Sequence, residues 1–219
     1  IDVCVPSGNF GNIYAGFLAR SMGVPIRRLI LATNENNVLE EFFTTGIYRP
    51  RSAEDTLATS SPSMDISKAS NLERFIWALL GPEAFVQRWA ELETTGTLDL
   101  CDQLPRLREE FGFVAGTSTH ADRLEAIRTV KERSGRLIDP HTADGVTVAL
   151  RVMEPGFPTL VMETAKAAKF PQTVAEALGS EPETPDVVAD LLARPQKVET
   201  IDNEEAPLRA LIEERALTR

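Results

Sequence analysis

The sequence predicts an α/β fold, a parallel sheet flanked by helices, and three observations carry that prediction. Residues 1–5, IDVCV, are a short apolar run rich in β-branched side chains, as a buried strand requires. The helix-like stretch NIYAGFLARSM follows after a turn crowded with Gly and Asn. A second apolar run at 26–32, IRRLILA, precedes the helical pattern NNVLEEFFTTG. Strand, helix, strand, helix is the order that parallel pairing needs, because parallel strands are joined only through a long crossover.

Each element has its own signal. In the first helix Ile13, Phe17 and Leu18 recur at helical spacing, and Gly23 supplies the stop. The second helix ends at Gly46. Residues 47–67, IYRPRSAEDTLATSSPSMDIS, are the longest irregular stretch, either disordered or folded over a site. NLERFIWALLG and PEAFVQRWAELETTG read as amphipathic helices, with Trp77 and Trp89 as core residues. DRLEAIRTVKERSG is another, with Leu124, Ile127 and Val130 on one face, and FPTLVMET is a third strand. TVAEALG, PDVVADLLAR and APLRALIEERALTR are short helices. The expected division is an α/β phosphate-binding portion over 1–175 and a C-terminal helical extension over 176–219.

Composition narrows the classes of function. The chain has 219 residues, 42% hydrophobic and 26% charged, enough for a sizeable core. No apolar run approaches the roughly 20 residues of a membrane span, so no membrane is expected as a partner. A net charge of −10 argues against nucleic acid, whose binding rests on Lys and Arg. It leaves room for a local anion site built from backbone N–H groups. Cys4 and Cys101 have no metal-type spacing, and no metal is expected. One disulfide stays open as an alternative, but the expectation is a reduced, cytoplasmic setting. The chain opens on IDVCV without Met or leader, so the expectation is an excised piece of a longer protein, with any targeting segment outside it.

The turn Ser7-Gly8-Asn9-Phe10-Gly11-Asn12 is the candidate site. The strand ends at Pro6 and the helix is expected near Asn12, so the N–H groups between them and the helix dipole make an anion cradle suited to phosphate. Gly8 and Gly11 would permit positive φ and close approach of a ligand. The alternative is an ordinary turn capped by Asn12. A dinucleotide site would need G-x-G-x-x-G with an acid after the next strand. Only G-x-x-G is present, and Glu35 reads instead as a helix-start acid.

VPSGNFGNIYAGFLARSMGVPIRRLILATNEN resembles the phosphate-loop region of the threonine synthase family. SPSMDISKASNLERFIW, DPHTADGV and METAKAAKF recur in that family in the same order, so the resemblance runs from residue 1 to about 175. It implies the tryptophan-synthase-β-like fold of enzymes that use pyridoxal 5′-phosphate (PLP), and here the large-domain part of it. It implies threonine biosynthesis by a carbon–oxygen lyase acting on phosphates, which converts O-phosphohomoserine and water to threonine and phosphate. Carried over, Gly8, Asn9, Phe10 and Gly11 hold the cofactor phosphate, and Thr164 meets the pyridine nitrogen. The family's Schiff-base lysine lies ahead of the phosphate loop, and no Lys stands among residues 1–6. No catalytic residue is therefore expected in this chain; the missing N-terminal half is expected to supply it, and the chain alone is expected to be inactive. Lys68, Lys166 and Lys169 read as solvated surface. In the family the last motif is often T-A-H-P-A-K-F; here Lys166-Ala167 replaces its middle.

Other residues keep two readings. His141, one of two histidines, either lines a substrate mouth or sits in a helix-start turn capped by Thr142. Ser63-Met64-Asp65 either reaches the site or anchors the loop to the sheet. His120 reads as a helix start with no further role. Besides the enzyme, two other classes fit: a non-catalytic α/β module that binds a phosphorylated small molecule through residues 7–12, and an acidic interaction protein with a vestigial site.

Overall fold

The computed structural model describes residues 1–216. Leu217, Thr218 and Arg219, the end of the last expected helix, lie outside the described residues. At the centre is β1 (Asp2–Pro6), in a four-stranded sheet of order β5-β2-β1-β6. Its neighbours are β2 (Arg28–Thr33) and β6 (Thr159–Val161), and β5 (Phe113–Thr117) extends the far side of β2. Every pairing in this sheet is parallel, with Val3 opposite both Leu29 and Leu160.

Side-chain alternation covers both faces, as a parallel sheet requires. Val3, Val5, Leu29, Leu31 and Phe113 face one core. That core is closed by α1 (Gly11–Ser21), α2 (Val38–Thr45), α3 (Leu72–Leu80) and α4 (Pro82–Thr95). The intervening residues Cys4, Ile30 and Ala32 face the other side, against Val148 and Ala149 of α6 (Pro140–Val152). Outside α6 lie α5 (His120–Ser134) and α7 (Pro171–Leu178), joined through Ile127, Ala143 and Ala177. Two short antiparallel strands, β3 (Ile47–Tyr48) and β4 (Leu98–Asp99), flank the irregular stretch. The contacts divide the chain into Ile1–Glu183 and Thr184–Arg219. The second unit holds α8 (Asp186–Leu192) and α9 (Glu205–Ala216).

Several expectations change. Strand β5 has no counterpart in the sequence reading, since FVAGT is short and carries two small residues. In α1, Ile13 and Phe17 point inward but Leu18 is 42% exposed. Trp77 is not a core residue: it is 52% exposed, because Phe75, Ile76 and Leu79 take the inward face of α3. Trp89 is half-buried and stacks on Phe85. Cys4 and Cys101 are both free. Burial pushes the Cys4 thiol up to about 12, which keeps it unreactive.

An ion network closes the amino edge of the sheet. Asp2 is fully buried and binds Arg27 at 2.6 Å and Arg28 at 2.7 Å. Both arginines also reach Glu154, in the lead-in to β6, at 2.5 and 2.7 Å. Burial alone would raise the Asp2 carboxyl, but the two guanidinium groups outweigh it and hold the group below its ordinary value. One carboxylate thus ties together β1, β2 and the approach to β6.

The first core is an aromatic cluster. Phe113 stacks on Phe43 at 4.4 Å and meets Phe75 at 5.1 Å, with Phe10 and Phe17 beside it. Phe113→Ala removes the ring that all four share and is expected to cost about 3–5 kcal/mol. Urea denaturation should show a lower midpoint at an unchanged slope; an unchanged midpoint would contradict this packing.

Candidate functional site

The cavity at the carboxyl edge of the sheet is where the open α/β topology places a ligand. From β1 the chain steps to β2 and β5 on one side, while β6 returns on the other, so β1 and β6 flank the switch point. The cavity is about 300 Å³ and is lined by the turn after β1, residues 6–12, and by Thr164, Ala165 and Lys169 after β6. Ser63, Met64 and His141 complete it. Although the chain carries 33 carboxylates, none lines this cavity among the described residues; its one charged lining residue is Lys169.

The turn does not use the conformational freedom that its glycines permit. Gly8 and Gly11 do not take positive φ; the left-handed residue is Phe10, at φ 67°. Its ring is fully buried against Phe43, Phe75 and Phe113, which holds a conformation that a bulky residue otherwise avoids. The glycines serve packing. A Cβ on Gly8 would meet Ile66 Cγ1 at 2.9 Å and Met64 Cα at 3.0 Å, so the loop can lie against the turn only because Gly8 is bare. A Cβ on Gly11 would meet only the Asn71 side chain, at 3.2 Å. Asn12 is not the cap: α1 starts at Gly11, Phe10 is the capping position, and no side chain bonds to the helix start.

The backbone donors of this turn are therefore left open. Ser7 N–H donates to Ala32, and Tyr14 N–H is the next to find an acceptor, at Phe10. The N–H groups between them sit around a left-handed residue followed by a helical one, an arrangement that converges donors on an anion. Asn9 is fixed from the other side. Its carbonyl accepts from the Asn71 N–H and Nδ2, and its Oδ1 accepts from the Ser70 N–H and hydroxyl.

Asp139 organises the opposite wall. It, not Thr142, caps α6, accepting from the N–H groups of His141 and Thr142. Its Oδ1 also accepts from His141 Nδ1 at 2.8 Å, and its Oδ2 accepts from the Thr142 hydroxyl. Burial raises this carboxyl, but those bonds outweigh it and hold it below its ordinary value. Thr142 Oγ1 in turn accepts the Thr164 N–H at 3.4 Å, and His141 Nε2 accepts the Ser63 N–H at 3.0 Å. Both readings of Ser63-Met64-Asp65 hold together. Ser63 and Met64 reach the cavity, and Asp65 anchors the loop through Asn34, Asn36 and Thr59. The sequence signal for Asp139 was Asp directly before a Pro at the first helical position.

Beside the cavity lies a buried ion cluster that the sequence did not announce. Arg123 is fully buried and grips Glu35 with two bonds of 2.9 and 3.0 Å. Asp144 accepts from the same guanidinium at 3.0 Å, and Ser60 at 2.8 Å. Glu35 also accepts the His120 N–H, so it is an ion-pair partner rather than a helix-start acid; α2 begins only at Val38. His120, read from sequence only as a helix start, bridges Ser60 Oγ at 2.8 Å and Glu176 at 2.9 Å. Lys68 and Lys166 are exposed, the latter paired with Glu163. Lys169 is exposed too but stands at the cavity.

A parallel sheet with helices on both faces and, among the described residues, backbone donors without a protein acceptor at its switch point define an open α/β protein with a cavity at the carboxyl edge. Comparison with known proteins narrows that class. The family model "Threonine synthase, C-terminal" matches residues 142–212. The threonine synthase of Methylobacillus glycogenes is 49% identical over 217 residues, covering 98% of this chain and 46% of that protein. The one from Corynebacterium glutamicum is 51% identical over 211 residues, covering 93% of this chain and 44% of that protein. Among solved structures, PLP-bound threonine synthase from Brucella melitensis superposes with a TM-score of 0.85 at 36% identity, covering 98% of this chain and 45% of that one. The chain belongs to the threonine synthase family and spans about half the length of the curated relatives it matches.

Two substitutions separate the roles of the glycines. Gly8→Ala drives a methyl group into the backbone of Met64 and is expected to cost about 1–3 kcal/mol. Gly11→Ala meets only a side-chain amide and should cost under about 1 kcal/mol. Equal effects on the denaturation midpoint would refute the packing account. A third test concerns Asp144. Burial pushes its carboxyl up to about 6, against the pull of Arg123. A folded-state value above the unfolded 3.8 means that its contribution to stability is full below 3.8 and is lost as pH rises through 6. That contribution is roughly 3 kcal/mol. Asp144→Asn should flatten the stability profile across that window; an unchanged profile would count against the burial argument.

Proposed function

We propose that this chain is the cofactor-phosphate and pyridine side of a threonine synthase. In this reading the complete protein converts O-phosphohomoserine and water to threonine and phosphate with PLP. The observation that carries it is the set of acceptor-free N–H groups after β1, in a cavity shared with Thr164 and free of carboxylates. Such a cradle fits a phosphate ester. PLP, when bound, supplies an electron sink for carbanions formed on the substrate.

The residues of this chain then have distinct tasks. Gly8, Asn9, Phe10 and Gly11 hold the phosphate through backbone N–H groups. Phe10 acts through the main chain, since its ring is buried, while the Asn9 oxygens, engaged by Ser70 and Asn71, fix that residue in place. Thr164, after the strand on the other side of β1, offers its hydroxyl to the ring nitrogen. A neutral hydroxyl does not hold that nitrogen protonated as a carboxylate would, so the electron sink is milder. The lysine that anchors the cofactor comes from the half that the relatives carry in addition, and that half is the partner this chain requires.

In the complete protein, Thr164→Val keeps the shape and removes one hydrogen bond. It should weaken PLP binding by about 1 kcal/mol, roughly fivefold, read by cofactor absorbance or fluorescence titration. Unchanged affinity would remove Thr164 from the site. The 219-residue chain by itself should release no phosphate from O-phosphohomoserine above a blank.

A further inference from the structure

The chain has two histidines, and both hold the same short stretch of loop. His120 meets Ser60, at the outer end, and His141 meets Ser63, at the cavity. The two contacts differ in kind. At Ser60 a hydroxyl can rotate, and it already accepts from Arg123. At Ser63 the partner is a backbone N–H, which can only donate.

We propose that His141 is a positioning residue, whose Nε2 holds the Ser63 N–H and thereby sets the wall of the cavity at Ser63 and Met64. The inference rests on the reading of this cavity as the PLP site, and deepens it. The arrangement has one consistent proton count. Nε2 accepts, so the ring proton is on Nδ1, and Nδ1 donates to Asp139 Oδ1 at 2.8 Å. The ring is 3% exposed and packs edge-on against Phe170 at 4.7 Å, so it cannot swing to another partner without leaving the core. The lone pair is spent on Ser63, which excludes His141 as a base that takes a proton from a substrate while the wall stands.

The wall needs this contact. Asp65 is fastened by Asn34, Asn36 and Thr59, and Ser60 by Arg123 and His120. Between those anchors, the bond to His141 is the one that ties residues 62–64 to another element among the described residues. Inward movement is limited, since Met64 Cα already lies 3.0 Å from the position that a Cβ on Gly8 would take. The remaining freedom is outward, and His141 removes it. The same carboxylate, Asp139, also orients Thr142, which carries the Thr164 N–H, so one cap residue fixes two walls of one cavity.

The test uses the complete protein that carries this chain. His141→Phe keeps a ring against Phe170 and removes the acceptor; His141→Gln restores an acceptor oxygen at similar reach. Deuterium uptake of the 60–66 peptide and the PLP dissociation constant are measured for both. His141→Phe should raise uptake at the Ser63 amide and weaken PLP binding about tenfold, and His141→Gln should recover most of both. Unchanged uptake in the Phe variant, or a Gln variant as impaired as the Phe variant, would overturn the proposal. If neither variant folds, exchange in the unaltered protein decides. A slow Ser63 amide, on an otherwise exposed residue, supports the latch; exchange at the rate of an open amide refutes it. Failure of the unaltered protein to bind PLP would sink the functional reading instead, and the exchange measurement would still stand.

Discussion

The left-handed backbone of Phe10 is the constraint from which the rest of the site follows. A bulky residue in that region costs on the order of 1–3 kcal/mol. Burial of its ring returns about 1.5–3 kcal/mol, and each aromatic pair adds about 0.5–1.5 kcal/mol. The core therefore wins, and the strain is held by Phe43, Phe75 and Phe113 rather than by any ligand. The turn is thus held in its conformation by the core itself.

The two edges of the sheet treat charge in opposite ways. At the amino edge two carboxylates balance two guanidinium groups, with Asp2 against Arg27 and Arg28 and those against Glu154. At the carboxyl edge, the donors of the turn have no acceptor among the described residues, and the buried cluster of Arg123 with Glu35 and Asp144 sets one guanidinium against two carboxylates. In a molecule with a net charge of −10, the carboxylates are nonetheless kept out of the cavity lining among the described residues. Closing one edge and leaving the other open gives the sheet a polarity that the parallel strands alone do not supply.

How much of this was legible in the sequence depends on how local the cause was. The strands IDVCV and IRRLILA, the helices of the first core and the turn at 7–12 all announce themselves through short-range pattern. The motif combination also pointed to Thr164, whose neighbouring strand does pair with β1. What failed was non-local. Which residue of the turn takes positive φ is decided by a cluster of rings from separate elements, and nothing in the local sequence marks Phe10 for it. Glu35 and Arg123 lie 88 residues apart, and nothing in either neighbourhood marks the pair. Strand β5 was missed because FVAGT offers too little bulk, and Trp77 because amphipathic spacing does not say which of two adjacent faces the core will take.

The pairing of β1 with β6 has a consequence for how the molecule is made. Asp2 sits beside Thr159, so the central strand gains its second neighbour only when most of the chain is available. Closing so long a loop costs little extra equilibrium free energy, because the penalty grows only logarithmically with length. It does cost time, since contacts distant in sequence are reached late. During synthesis β1 and the turn at 7–12 emerge well before β6, with one flank of β1 bare until residue 161 has emerged. The apolar edge of that strand is then open to the wrong partner, and a nascent-chain chaperone would have most to protect in that interval.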